Sequence, residues 1–134
     1  MATTADAQLI LSLYDLRRES VCREARAFFI SWKPTSAEEV RVTATDMSRQ
    51  DNAWVRQATS YWEMAFSLVN TGAVDETLFA KNCGEGLIFA VKCQSLKERF
   101  PEVWTRTMAE AEAFIARNAV AQQKAETFKK RFGF

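Results

Sequence analysis

The side chain best placed for chemistry is Glu63, a carboxylate set between Trp62 and Met64 in an aromatic and apolar run from Trp54 to Val69. Burial disfavours the ionised form of a carboxyl group and raises its pKa unless a cation compensates. Glu63 could therefore serve as a general acid or a ligand contact, with Tyr61 and Trp62 beside it as walls. It could equally be half of a buried ion pair with Arg17 or Arg18. The ion pair is the expected role, because an unpaired buried charge costs several kcal/mol and pairing is the ordinary remedy. No second acid stands three or four residues from Glu63 and the chain has no histidine, so a carboxylate-bridged metal site is not expected.

The missing histidine also removes the commonest general base and the commonest metal ligand. Cys22, Cys83 and Cys93 have no Cys-x-x-Cys spacing and sit in apolar helical contexts, which fits buried free thiols. Gly84-Glu85-Gly86 lacks the Gly-Lys-Ser/Thr that follows in a phosphate loop. Lys129-Lys130-Arg131 fits cations at the end of a helix better than a phosphate contact. With 18 basic and 17 acidic residues the net charge is +1, so no global field attracts nucleic acid or an anionic membrane. Catalytic residues, a cofactor and a metal are accordingly not expected. The four Trp, ten Phe and two Tyr could line a ligand pocket, but at helical spacing aromatic residues are ordinarily core.

Helices must position these groups. The pattern from Trp54 to Leu78 is a helical hairpin, broken at Asn70-Thr71-Gly72 and restarted after Asp75. Thr3 with Asp6 reads as a helix start, and apolar residues at three- and four-residue spacing then run to Trp32 before Pro34 ends the helix. Its polar face carries Glu19 and Arg23 as an i, i+4 pair. Ser36 to Glu39 forms a capping box. Residues 40–45 alternate like a strand, but helix is favoured because a lone strand has no partner here. Leu87 to Leu96 is an apolar helix that ends near Phe100-Pro101. From Pro101 a last helix of some thirty residues is expected, long enough to project past a compact body.

These readings give an all-α fold: one domain over 1–134, a bundle of about five to six helices with long N- and C-terminal helices. Six Gly and Pro among 134 residues suit such a fold and leave too few turn-formers for a sandwich. The longest apolar run, Leu87 to Val91, is far short of the roughly 20 residues a membrane span needs. A soluble, cytoplasmic chain that binds neither nucleic acid nor membrane is expected.

The hairpin also resembles a known family. Tyr61-Trp62-Glu63-Met64-Ala65, then Val69, Gly72-Ala73-Val74-Asp75 and Leu78, with Phe100-Pro101 further on, is similar to the pattern of a small bacterial helical family catalogued as a domain of unknown function. The resemblance covers about residues 54–105. It implies a bacterial helical protein and no activity. Members often carry an N-terminal membrane segment, and no run of that kind is seen here, so membrane association is not carried over. The expected function is a non-catalytic interaction or structural module, self-associating as a homodimer and open to other protein partners. The alternative is a bundle that binds a small apolar ligand near Glu63 and Trp62.

Overall fold

Capping groups decide where the helices of this chain begin and end. The computed structural model describes residues 1–133, in which eight helices occur and no strand. They are α1 (Thr4–Arg17), α2 (Ser20–Ser31), α3 (Ala37–Thr45), α4 (Gln50–Asn70), α5 (Glu76–Asn82), α6 (Gly84–Arg99), α7 (Ala109–Arg117) and α8 (Ala119–Phe132). The all-α class stands, and the count of five to six is corrected to eight among the described residues.

Two expected long helices are each divided. The N-terminal one breaks at Arg18-Glu19, because the Glu19 carboxylate accepts from the amides of Val21 at 3.1 Å and Cys22 at 2.9 Å and so caps α2. Glu19 is thus not paired with Arg23, whose guanidinium donates instead to the Arg18 carbonyl at 2.8 Å. The C-terminal one never starts at Pro101. Residues 101–108 leave the helix, and Trp104 and Met108 anchor that segment in the core at 1% and 0% exposure. Asn118 then divides what remains, its side-chain oxygen accepting from the Ala121 amide at 2.9 Å as the cap of α8. A thirty-residue projecting helix is therefore absent, and α8 packs against α6 and α7 through the buried Ala121 and Ala125.

Elsewhere local chemistry acts as the pattern indicates. Thr3 and Asp6 form the capping box of α1, and Asp75 caps α5 through the Leu78 amide at 2.9 Å. Gly72, at φ +85°, closes α4 in the left-handed conformation. Residues 40–45 are helical within α3, where Val40 and Thr43 share the buried side.

The central element is α4, packed against α2, α3, α6 and α7. Phe66, Phe79 and Phe114 form an aromatic triangle with ring centroids 5.3 to 5.8 Å apart. Offset and edge contacts of this kind add stability beyond the area buried. Gly86 lets α6 approach α4: a Cβ there would lie 2.5 Å from Cε3 of Trp62 and 2.7 Å from Cε2 of Phe66. The core around Trp62 is filled by this approach.

Candidate functional site

Glu63 lies on α4, half-buried, facing the start of α7. Its two carboxylate oxygens accept from the backbone amides of Glu110 and Ala111, both at 3.0 Å. The first amides of a helix have no partner within it, and α7 has no side-chain cap of its own. Glu63 therefore caps α7 from another helix, with its charge at the positive end of the α7 dipole. Asn70 holds the same end, its amide nitrogen donating to the Glu110 carbonyl at 2.8 Å and side chain at 2.6 Å. The expected ion pair of Glu63 with Arg17 or Arg18 is not formed, because the Glu63 carboxylate is turned to these amides.

Arg17 belongs to a different cluster, centred on Glu85 near the start of α6. The Glu85 carboxylate accepts from Nε and Nη2 of Arg26 at 2.6 and 2.9 Å and from Nε1 of Trp62 at 3.0 Å. Nη2 of Arg17 stands 3.3 Å away. Burial alone would raise the Glu85 carboxyl. The hydrogen bonds from Arg26 and Trp62, with both guanidinium charges, outweigh it and hold the group below the usual carboxylate range. The Arg17 guanidinium also lies over the rings of Tyr14 at 4.6 Å and Trp62 at 5.2 Å. Tyr61 donates its hydroxyl to the Leu13 carbonyl on α1, and burial raises its pKa. Arg18 is exposed and takes no part. The structure thus brings together Arg17, Trp62 and Tyr61 with Glu85 and Arg26, and sets Glu63 and Arg18 apart from them.

Sequence reasoning missed Glu85, Arg26 and Lys92. Arg26 stands four residues after the buried Cys22, so a helical wheel centred on Cys22 and Phe29 would have drawn it inward. Lys92 is a single lysine inside the most apolar helix and is 3% exposed. Its ammonium donates to the carbonyls of Phe29 and Trp32 at the end of α2, with the Phe29 ring 5.2 Å away. Burial pushes its pKa down to about 8. Cys83 and Cys93 are pushed up to about 12 by burial, and Cys22 is raised by the same cause, so all three are thiols near neutrality.

Each of these buried ionic groups joins two or more helices. The space beside Trp62, bounded by Ile10, Tyr14, Arg17 and Phe79, is about 10 Å³, room for no more than about one water. Larger grooves lie elsewhere: about 320 Å³ beside Asn52, Trp104 and Arg106, and about 210 Å³ beside Lys92 and Arg99. Among the described residues no group of three or more Cys, Asp or Glu is arranged to hold a metal ion. None of the described helices is long and apolar enough to cross a membrane.

No curated protein and no solved structure gives a match to this chain. A family model does, and it extends well beyond the hairpin that carried the resemblance, over residues 2–130 and so from α1 into α8. The chain belongs to the family described as a domain of unknown function, DUF4760.

Proposed function

We propose that this chain is a non-catalytic helical module that self-associates as a homodimer through the outward side of α1. The observation that carries the reading is the distribution of apolar residues on that helix. Ile10 and Leu13 are buried, whereas Leu11 and Leu16 are 67% and 56% exposed. A helix apolar on several sides is ordinarily covered on several sides, and the fold covers α1 on the side facing α2 and α5. Met1, Leu11, Tyr14, Leu16 and Val21 supply five of the ten large exposed apolar side chains among the described residues. That concentration on and beside α1 favours a docking surface at this end of the fold over scattered surface apolarity.

The buried charges favour a structural role over a catalytic one. Glu63, Glu85 and Lys92 are each held by two or more partners outside their own helix, so their charges are engaged in joining parts of the fold. The alternative, an apolar ligand near Glu63 and Trp62, has only about 10 Å³ to occupy beside Trp62, against the roughly 300 Å³ or more of ordinary ligand pockets.

Sedimentation velocity on the wild type and on a Leu11→Glu, Leu16→Glu variant tests the assembly. The wild type is expected at twice the chain mass of 15.3 kDa and the variant at 15.3 kDa, with unchanged helix content. A wild type that stays at the chain mass at high concentration would overturn the reading, as would a variant that remains dimeric.

A further inference from the structure

A groove of about 210 Å³ lies between the segment after α2, the second half of α6 and the end of α8. Its charge is one-sided. Lys33, Lys92 and Arg99 line it, and among the described residues no acidic side chain does. None of the three takes part in an ion pair among the described residues. Arg99 donates one guanidinium nitrogen to the Pro34 carbonyl at 3.3 Å, which fixes the group at the rim and leaves most of its five N–H donors unused. Lys92 uses two of its three donors on the α2 carbonyls and adds a fixed positive charge to the floor.

A second feature is independent of charge. Ser95 lines the groove at 8% exposure, and among the described residues its hydroxyl has no hydrogen-bond partner. A serine in a helix commonly bonds back to the preceding turn, as Ser31 does to the Ala27 carbonyl at 2.9 Å. The Ser95 oxygen is not one of the fully buried unpartnered polar atoms, so it is reached from the groove and its hydroxyl can donate to a ligand lying there. Trp32, Pro34 and Leu96 give the groove an apolar side, and Thr35 adds a further hydroxyl-bearing side chain.

We propose that this groove binds a small amphiphilic phosphate monoester, its phosphate held by Arg99, Lys33 and the Ser95 hydroxyl and its apolar body lying on Trp32, Pro34 and Leu96. A phosphate monoester fits better than a carboxylate for two reasons. Its charge of nearly two matches a site with three cations, and its three oxygens can accept separately from guanidinium, ammonium and hydroxyl. The volume of about 210 Å³ suits a single ring or a short chain. The site is remote from α1 in the fold's contacts, and its occupancy does not depend on the assembly proposed above.

Titration calorimetry of the full chain with phenyl phosphate at low ionic strength tests the site. Saturable binding of one ligand per chain is expected, weakened by about tenfold or more in Arg99→Gln, which loses a charged hydrogen bond. A smaller loss is expected in Ser95→Ala, and none in Lys81→Gln, which removes an exposed cation elsewhere. Absence of saturable binding to the wild type would overturn the proposal. An equal loss in Arg99→Gln and Lys81→Gln would do the same, because it would mark diffuse charge attraction. Inorganic phosphate binding as tightly as phenyl phosphate would refute the apolar subsite, and benzoate binding as tightly would refute the phosphate assignment.

Discussion

Replacing Glu63 separates a helix cap from an ion pair. Its carboxylate receives two backbone amides, from Glu110 and Ala111, and no other side chain among the described residues caps the start of α7. Loss of an N-cap costs about 0.5 to 2 kcal/mol, and a hydrogen bond to a charged group contributes about 1.5 to 3 kcal/mol. Glu63 is half-buried, so water satisfies part of the loss. Together these give about 2 to 3 kcal/mol for Glu63→Ala, read from urea unfolding. Glu63→Gln keeps one acceptor oxygen and loses the charge at the helix terminus, so about 1 kcal/mol is expected. A double-mutant cycle supplies the sharper reading. Glu63→Ala and Arg17→Gln should add within about 0.5 kcal/mol, because the two side chains share no partner. Glu85→Gln and Arg26→Gln should depart from additivity by about 1 to 3 kcal/mol, because they share two short hydrogen bonds. The reasoning fails if Glu63→Ala costs under about 0.5 kcal/mol, or if Glu63 couples to Arg17 as strongly as Glu85 couples to Arg26.

Four other perturbations follow from the packing and the buried charges. Glu85→Gln leaves Arg17 and Arg26 largely buried without their carboxylate and should cost about 3 to 5 kcal/mol by chemical denaturation; a cost within error of zero would remove Glu85 from the centre of the fold. In the wild type the same carboxyl has a folded pKa below its ordinary 4.5, so its stabilisation is present above that value and is lost as pH falls below it. Lys92 has a folded pKa near 8 against 10.5 when exposed, so the unfolded chain binds more protons between those values. Stability should therefore rise by roughly 3 kcal/mol from pH 8 toward 10.5 relative to Lys92→Met, and parallel pH profiles for the two proteins would contradict this. Gly86→Ala forces a Cβ into Trp62 and Phe66 and should cost about 1 to 3 kcal/mol with a changed near-ultraviolet circular dichroism spectrum; an unchanged melting temperature would show that α4 and α6 are not in tight contact.

The all-helical class and the hairpin around Gly72 were legible because apolar periodicity, cap residues and a left-handed glycine agree there. The capping box at Ser36 likewise outweighed the strand-like alternation of residues 40–45. The two long helices were misread for a common reason. Apolar spacing continues through Glu19 and Asn118, so the pattern hides a break that one side chain makes by bonding to nearby amides. The segment from Pro101 to Met108 keeps Trp104 and Met108 near helical spacing, although each is buried by tertiary contacts outside any helix. Glu63 was identified as a residue under constraint, but its partners are backbone amides 47 and 48 positions away, which no residue type reveals. Glu85 stands between two glycines, a local pattern that suggests a phosphate loop and nothing of an ion pair. Its role depends on Gly86 bringing α6 against Trp62, which is a packing fact.

The proposal that this chain works by assembling rather than by catalysis meets its most direct test in native mass spectrometry of the gently purified protein across a range of concentrations. The account predicts a dimer at twice 15.3 kDa with no small molecule retained beside Trp62. A persistent monomer would contradict the assembly, and a reproducible apolar adduct lost on Trp62→Ala but kept in Arg99→Gln would return the ligand-binding bundle to first place.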